Sequence, residues 1–370
     1  MNYDTSWMEL DYRPPLPQNK GMGIAIVGAG EIVESAHLPA YKMAGFNVIG
    51  IYDTVGDKAR RVAEKFHLPY IFRSLDEVVD SSDVDIVDAA VPSQHLLSVV
   101  EAAVKRRKHV LCQKPLGEAY SAAQKIVDVC REAGVKAAVN QQMRWAPGIQ
   151  ASRQIIERGW LGELTQATIQ VNVLTPWEHW PWMMSLPGME FLYHSIHYMD
   201  SIRYLFGTPE DIFADSAKFP GQPWAADTRT TIMMRFPGET RGLIQDNHNN
   251  FAPEDDWYAT FRFEGTDGII KGTNGALYNY PIGRGDTISF LSKQLRADTW
   301  INPTLEGKWF PHAFMGSMGE LMLSVEEERE PANSVEDNLD TLRMVFSALR
   351  SVVERRLVSL KEIDDQHSKR

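Results

Sequence analysis

Lys114 stands where a parallel sheet would present a side chain to a ligand. It follows the apolar run 109–112 and directly precedes Pro115. If that run is a strand, Lys114 lies beyond its carboxyl end, where ligands bind in such sheets. A lysine there can hydrogen-bond a substrate hydroxyl. Its pKa falls when it is desolvated beside a cationic ring, which would make it a proton relay. The alternative is a surface lysine before a turn, because the proline disfavours helix at that position.

Polar side chains also recur at helical spacing in an otherwise apolar segment. They are Tyr193, His197, Asp200 and Tyr204. Their spacings of four, three and four place them on one face of a helix predicted over 190–206. His197 could exchange a proton near neutral pH, and the alternative is a satisfied core histidine. The spacing of His194, His197 and Asp200 also permits a metal site, but no cysteine or carboxylate cluster supports one, so we predict no bound metal.

Tryptophans are concentrated in one short, proline-punctuated segment. Trp177, Trp180 and Trp182 occur there together with His179. Flat apolar faces beside polar groups suit sugar rings, whose C–H faces stack on aromatic side chains. The alternative is an oligomer interface, where tryptophan is also enriched.

A glycine turn follows the first apolar run of the chain. Gly28 permits a tight turn, Gly30 leaves room for a pyrophosphate, and the next helix supplies free N–H groups and the positive end of its dipole. Val33 replaces the third glycine of the usual pattern, which serves packing rather than phosphate contact. Asp53 ends the second apolar run, can bind both ribose hydroxyls and would repel a 2′-phosphate, which favours NAD over NADP. The NAD contacts expected here are Gly28, Ala29, Gly30, Glu31, Ile32 and Asp53.

Regular alternation of strands and helices must position these residues. Strands are predicted near 23–28, 47–52, 84–90, 109–113 and 136–140, and helices near 30–44, 55–66, 95–107 and 119–133. Such alternation predicts a doubly wound parallel sheet with right-handed crossovers. We therefore assign 21–141 to a dinucleotide-binding domain.

The second part of the chain, 142–370, has a different pattern of apolar and polar residues, and we assign it to a second domain. Runs with period-two alternation lie at 164–174, 212–218, 228–236, 242–250, 257–264 and 268–272. Strands that follow one another without helices predict a mainly antiparallel sheet. Further helices are predicted near 148–158 and over 334–354, where Ser334 is the expected N-cap and Asp337 lies one turn inside.

Bulk composition limits the classes of function. A chain of 370 residues favours two domains, and a net charge of −11 argues against nucleic-acid binding. Two cysteines without metal spacing do not suggest a disulfide framework. The N-terminal segment 1–20 is acidic and proline-rich and lacks the features of a signal peptide, and no apolar stretch is long enough to span a membrane. We expect an extended N-terminal arm and a cytoplasmic protein.

Several motifs together resemble the glucose–fructose oxidoreductase, inositol dehydrogenase and rhizopine-catabolism family, written Gfo/Idh/MocA. The resemblance runs from about Gly21 to Val358. The segments that carry it are 28–30, 37–40, 109–115, 143–147, 159–163 and 197–200. Each is weak alone, and their order and spacing are specific.

The resemblance implies a Rossmann domain followed by an α+β domain with a large open sheet that often forms a subunit interface. It therefore implies a homodimer or homotetramer. It also implies hydride transfer between NAD and a carbinol carbon of a sugar, cyclitol or related polyol. By the same resemblance, Lys114 and His197 are the catalytic pair, and the Lys114–Pro115 bond is cis.

Three positions depart from the family pattern. Gln113 replaces a glutamate, which removes a charge beside Lys114 and lets the lysine lose its proton more easily. Tyr193 replaces an aspartate and is a weaker base at neutral pH, although a phenol can relay a proton or bind substrate. His95 lies one position earlier than the family's loop histidine. The further cofactor contacts expected are Pro92, Ser93, His95, Gln113, Lys114 and Arg144.

Three functions follow from these residues. The first is an NAD-dependent dehydrogenase of a sugar, glycoside or cyclitol, with Lys114, His197 and Tyr193 catalytic and Arg144 shaping the pocket. Its substrate contacts are expected to be Trp177, Trp180, Trp182, His194 and His197. The second is an NAD-dependent glycosidase that oxidises a glycoside transiently, eliminates the aglycone and reduces the product. The third is a non-catalytic regulator that binds sugar or NAD.

Overall fold

The computed structural model describes residues 9–177, 182–186, 188–278 and 282–364. These residues form two compact units, each assembled from separate stretches of chain. The parallel-sheet unit comprises residues 14–145 and 310–340. The large-sheet unit comprises the described residues of 1–13, 146–309 and 341–370. Residues 310–340 thus pack with the first sheet, although the sequence analysis assigned them to the second domain.

Six strands form the sheet of the parallel-sheet unit. They are β1 Ile24–Val27, β2 Val48–Tyr52, β3 Tyr70–Ile71, β4 Ile86–Ala89, β5 His109–Cys112 and β6 Ala137–Val139. Their order is β3-β2-β1-β4-β5-β6, and every neighbouring pair is parallel. This is the doubly wound dinucleotide-binding arrangement, so the predicted fold of this part of the chain is confirmed.

Helices connect these strands. They are α1 Leu38–Ala44, α2 Gly56–Phe66, α3 Leu75–Asp80, α4 Ser93–Lys105 and α5 Tyr120–Ala133. A later helix, α8 His312–Glu326, returns to this unit and packs against α1 and strands β5 and β6. The core includes Ile24, Ile26 and Tyr41, with Phe314 and Leu321 contributed by α8. Cys112 and Cys130 are buried free thiols, and burial raises the pKa of Cys130 to about 12.

Nine strands form the sheet of the large-sheet unit. They are β7 Leu164–Asn172, β8 Asp211–Ala217, β9 Arg229–Arg235, β10 Arg241–Asn247, β11 Tyr258–Gly265, β12 Gly268–Thr273, β13 Thr287–Ser292, β14 Arg296–Ile301 and β15 Val358–Ser359. Their order is β14-β13-β12-β11-β7-β10-β9-β8-β15, with β7 and β10 parallel and the other pairs antiparallel. The predicted large, mainly antiparallel sheet is therefore confirmed.

One face of this sheet is apolar and covered. On β7, Ala167, Ile169 and Val171 are buried, whereas Thr168 and Gln170 on the other face are only half-buried. Helices α6 Pro147–Glu157 and α7 Ile196–Phe206 pack against strands of the sheet. The alternation that predicted strands therefore also separates a core face from an open, polar face.

The last long helix, α9, spans Val335–Glu354, and a short helix, α10, spans Lys361–Asp364. The backbone N–H of Asp337 donates to Ser334 Oγ at 3.0 Å, which confirms Ser334 as the N-cap of α9. Among the described residues, no helix combines the length and apolarity needed to cross a lipid bilayer.

Two helices contain a π turn beside a residue singled out by the sequence. Val33–His37 forms such a turn just before α1, and Phe191–Ser195 forms one just before α7. The first lies directly after the glycine turn and the second directly before His197. π turns occur often at functional sites.

Candidate active site

The glycine turn after β1 is shaped for a phosphate. Gly28 has φ of 109°, and a Cβ there would lie 2.3 Å from the carbonyl oxygen of Ala90. A side chain at this position is therefore excluded by both conformation and space. At Gly30 a Cβ would meet no atom within 4 Å, so the backbone there faces open space. The residues present fit a pyrophosphate approaching Gly30.

Asp53 lies against this same turn. Its Oδ2 accepts a hydrogen bond from the Ala29 N–H at 2.8 Å, and its Oδ1 accepts one from the Val55 N–H at 2.8 Å. Each oxygen keeps a second lone pair, so the carboxylate can also accept from ribose hydroxyls. The turn and Asp53 together fit the phosphate and ribose of NAD.

Lys114 follows β5, two strands from the glycine turn. The Lys114–Pro115 bond is cis, as the family resemblance implied. The backbone N–H of Lys114 donates to Gln113 Oε1 at 2.9 Å. This bond fixes the orientation of the Gln113 amide, so its Nε2 faces His37 Nε2 at 3.2 Å. Gln113 therefore anchors the backbone of Lys114 instead of presenting a charge to it.

A buried polar network holds Gln113 in turn. His37 Nδ1 lies 2.7 Å from Asp88 Oδ2, and the Tyr41 hydroxyl donates to the same oxygen at 2.8 Å. Asn140 Nδ2 and Gln113 Nε2 both lie 3.2 Å from His37 Nε2. Because two amide groups point at Nε2, that nitrogen is the acceptor and Nδ1 carries the proton. Burial and the charge of Asp88 raise the pKa of Tyr41 well above its ordinary value, so the phenol remains a donor.

The local sequence pattern does not predict this network. Its only local signal is Asp88, a carboxylate inside the apolar strand β4, with side-chain exposure of 1%. His37 belongs to a segment that carried the family resemblance, but its partners Asp88 and Gln113 lie 51 and 76 residues away in the sequence. No spacing rule connects positions so far apart.

Other predicted cofactor contacts have structural partners within the parallel-sheet unit. Ser93 Oγ donates to Glu118 Oε1 at 2.9 Å, and His95 is exposed on the first turn of α4 beside Pro92. Arg144 is buried and donates to the Ala332 carbonyl at 2.8 Å and to Asp337 Oδ2 at 2.6 Å. The guanidinium of Arg144 thus ties the start of α9 to its own unit, and its contact with NAD stays a prediction.

The large-sheet unit holds the predicted catalytic helix. His197 is buried in the first turn of α7, and its ring meets that of Trp309 edge-on at 5.3 Å. Tyr193 is also buried, in the π turn, and its ring meets Trp182 edge-on at 5.4 Å. Trp182 is 44% exposed and offers a face to a ligand. Trp180 and His179 lie outside the described residues.

The polar stripe of the sequence analysis has separate partners along the helix. Asp200 Oδ1 accepts from the Thr341 hydroxyl at 2.6 Å, and Arg203 donates to the same hydroxyl at 3.0 Å. Tyr204 accepts from Gln150 at 3.1 Å through its hydroxyl. Asp200 and Tyr204 therefore join α7 to α9 and α6, respectively, and serve packing within the unit.

Trp177 has a different environment from Trp182. It is only 3% exposed and packs against the imidazoles of His194 at 5.0 Å and His248 at 5.6 Å. Both imidazoles approach Glu190, whose side chain is fully buried. Among the described residues, the set able to hold a metal is Glu190, His194 and His248, and not the predicted alternative of His194, His197 and Asp200.

Comparison with known proteins gives matches over most of the chain. Residues 22–141 match the Gfo/Idh/MocA oxidoreductase family, described as an NAD-binding Rossmann fold. Residues 149–271 match a C-terminal domain of the same family.

Curated relatives and solved structures agree with these matches. D-apiose dehydrogenase of Paraburkholderia graminis is 23% identical over 344 residues, covering 92% of this chain and 90% of that enzyme. The 2,7-anhydro-N-acetylneuraminate hydratase of Escherichia coli is 35% identical over 215 residues, covering 55% of this chain and 54% of that one. A levoglucosan dehydrogenase in complex with NADH and L-sorbose superimposes with a TM-score of 0.77 at 18% identity, covering 92% of this chain and 98% of that one.

Proposed function

Since the chain belongs to the Gfo/Idh/MocA family of NAD-binding oxidoreductases, we propose that it transfers a hydride between NAD and a secondary hydroxyl or ketone of a sugar, glycoside or cyclitol. The observation that carries the proposal is the placement of Lys114. It follows β5 in the same parallel sheet whose β1 leads into the glycine turn. Relatives named for apiose and myo-inositol support the substrate class.

Lys114 has the proton-transfer role in this proposal. Its side chain is half-buried, and its backbone is anchored through Gln113 and His37 to Asp88. An anchored backbone limits the positions that the ε-amino group can reach, which favours transfer of a proton from one particular hydroxyl. NAD, when bound, supplies the hydride acceptor.

The large-sheet unit provides the second set of groups. His197 is the proposed partner acid or base, and Tyr193 is proposed to donate a hydrogen bond or relay a proton. Trp182, with its exposed face beside Tyr193, is the proposed stacking surface for a sugar ring. Trp177, Trp180 and His194 remain predicted substrate contacts.

Stopped-flow absorbance of NADH, with a panel of pentoses, pyranosides and inositols, tests the proposal. We expect Lys114→Met to lower kcat by about 10²–10⁴-fold, the range for a lost general acid–base group, while NAD binding is retained. Lys125→Met is the matched control, because Lys125 is exposed on α5 of the same unit. Wild-type turnover by Lys114→Met would contradict the assignment, and sugar binding without turnover of any polyol would favour a regulator.

One comparison favours a second candidate function. The Escherichia coli relative is named a hydratase, a name that describes hydration rather than net oxidation. An NAD-dependent glycosidase working by transient oxidation would likewise show no net oxidation. It predicts NAD that copurifies, and aglycone release without NADH accumulation. Stoichiometric NADH without aglycone release would reject it.

The proposal also includes the assembly and the compartment. The open face of the nine-stranded sheet is the proposed contact of a homodimer or homotetramer. Sedimentation velocity of the purified protein tests this assembly. We also propose that the protein acts in the cytoplasm.

A further inference from the structure

Three potential metal ligands meet at the π turn of the large-sheet unit. Glu190 precedes this turn, His194 lies within it, and His248 follows β10. One donor atom from each residue lies within 4.8 Å of the others. The Glu190 carboxylate is fully buried, the His248 ring is 2% exposed and the His194 ring is 20% exposed. The cluster is thus enclosed except on the side of His194.

Both imidazoles of the cluster contact the Glu190 carboxylate. His194 Nδ1 forms a hydrogen bond with Glu190 Oε2 at 3.0 Å, and His248 Nε2 lies 3.2 Å from Glu190 Oε1. Despite this approach, His248 Nε2 makes no hydrogen bond within the described part of the chain. A buried ring nitrogen that makes no hydrogen bond and lies beside a carboxylate can bind a metal ion together with that carboxylate.

Surrounding groups prepare His248 for this role. Its other ring nitrogen, Nδ1, lies 2.7 Å from Thr175 Oγ1. Histidine ligands commonly donate their second N–H to such a partner, which leaves the lone pair of the first nitrogen for the metal. Trp177 packs on both imidazoles and restricts their rotation.

We propose that Glu190, His194 and His248 form a binding site for a divalent first-row transition-metal ion. Two imidazoles and one carboxylate are a donor set of Zn²⁺ and Fe²⁺ sites that keep coordination positions open. Mg²⁺ and Ca²⁺ prefer oxygen ligands alone and fit this set poorly. The partly exposed ring of His194 marks the side from which the ion enters. The site lies within one unit and does not depend on the proposed catalytic activity.

The test uses the full chain without a histidine tag, freed of metal by dialysis against EDTA. Titration with CoCl₂ is followed by the visible absorption of Co²⁺, and titration with ZnCl₂ by calorimetry. We expect one equivalent of either ion to bind, and MgCl₂ to give no saturable signal. Wild-type protein that binds neither Co²⁺ nor Zn²⁺ at micromolar concentration would overturn the proposal without reference to any variant.

Variants locate the ion. We expect Glu190→Gln and His194→Gln to lose the Co²⁺ spectrum, and Thr175→Val to weaken Zn²⁺ binding about 10-fold. His67→Gln, which changes an exposed histidine of the other unit, should bind as the wild type does. Circular dichroism checks folding. If Glu190→Gln does not fold, the test rests on His194→Gln, because His194 is partly exposed. Metal binding by His194→Gln at the wild-type affinity would overturn the proposal.

Discussion

The Asp53 carboxylate holds the glycine turn in place and is also the group expected to bind the ribose of NAD. Its oxygens accept the N–H groups of Ala29 and Val55, which hold the glycine turn against the end of β2. The remaining lone pairs are those expected to bind the ribose. A substitution of Asp53 should therefore alter both the affinity for NAD and the preference for NAD over NADP.

We expect Asp53→Asn to weaken NAD binding and to narrow its preference over NADP. A hydrogen bond to a charged group contributes about 1.5–3 kcal/mol, and its loss lowers affinity roughly 10–100-fold. Removal of the charge also lessens repulsion of a 2′-phosphate. Fluorescence titration with both dinucleotides measures the ratio. Asp57→Asn, at an 86% exposed side chain on α2, is the control, and an unchanged ratio in Asp53→Asn would contradict the assignment.

Individual residues were predictable where the signal is local. The positions of Gly28, Asp53 and Lys114 after strands could be predicted because each follows an apolar run, and the Ser334 cap could be predicted because its acceptor lies three residues from the donor. The partners of Gln113 could not be found in this way. The spacing of three connected His194, His197 and Asp200, whereas the described residues that approach one another are Glu190, His194 and His248, because His248 follows β10, far from the π turn in the sequence.

At the scale of elements, the two glycines of the turn are expected to have different roles: Gly28 is needed for folding and Gly30 for NAD binding. Gly28→Ala should destabilise the parallel-sheet unit, because φ is 109° and the Ala90 oxygen would lie 2.3 Å from the new Cβ. Gly30→Ala should keep the folded stability, since its Cβ meets nothing within 4 Å, but should lose NAD affinity because the methyl group enters the pyrophosphate space.

Thermal unfolding and NAD titration of both variants make the comparison. Of these two variants, we expect only Gly28→Ala to have a lower Tm. Gly30→Ala should have an unchanged Tm and weaker NAD binding. Gly134→Ala is a control for backbone strain, because Gly134 has φ of 65° at the end of α5 with no atom near its Cβ. Full NAD affinity in Gly30→Ala would show that the turn does not hold the phosphates.

Long, amphipathic elements were predicted close to their observed bounds, whereas short or fully buried ones were missed. Helix α8 is buried on most of its circumference, so it shows no single apolar stripe, and its residues Gly316 and Gly319 lower its helix propensity. At Gly316 a Cβ would lie 2.3 Å from the Trp145 ring, so tertiary packing selects glycine there against helix propensity. Strands β3 and β15 each contain two residues, too few for a periodic signal.

At the scale of the molecule, the chain returns to its first unit after building most of the second. Residues 310–340 add α8 to the core around β1 and bring Ala332 and Asp337 to Arg144. The parallel-sheet unit therefore lacks part of its core in any fragment that ends near 141. No local pattern predicts this return, because it is a property of packing between distant segments.

The large-sheet unit should lose stability as pH rises through the range in which Asp286 titrates. Burial raises the pKa of Asp286 from 3.8 to about 6, although the Gly148 and Gly275 N–H groups oppose this. Between these values the unfolded chain has released the proton and the folded chain still holds it, so the free energy of unfolding falls with rising pH. The pKa shift corresponds to about 3 kcal/mol of folded-state stability. This stability is fully present below pH 3.8 and is lost as the pH rises through 6.

Urea unfolding at several pH values from 4 to 7 measures this dependence. In the Asp286→Asn variant, the decrease in the free energy of unfolding between pH 4 and pH 7 should be smaller than in the wild type by about 3 kcal/mol. This difference does not depend on how stable the variant is at pH 4. Asp255→Asn, at an exposed position of the same unit, should keep the wild-type dependence. Parallel pH profiles for Asp286→Asn and the wild type would disprove the role of this carboxyl group.

The π turn at Phe191–Ser195 has a consequence for how this chain tolerates length changes. An α-helix advances about 100° per residue, and a π turn accommodates one extra residue without breaking the helix. Deleting a single residue such as Leu192 would therefore restore a regular α-helix and leave Glu190 at nearly the same angle to His197. The π turn thus adds one side chain to this helix without changing the direction of the side chains on either side of it, so a length change of one residue here should be tolerated by the packing of α7.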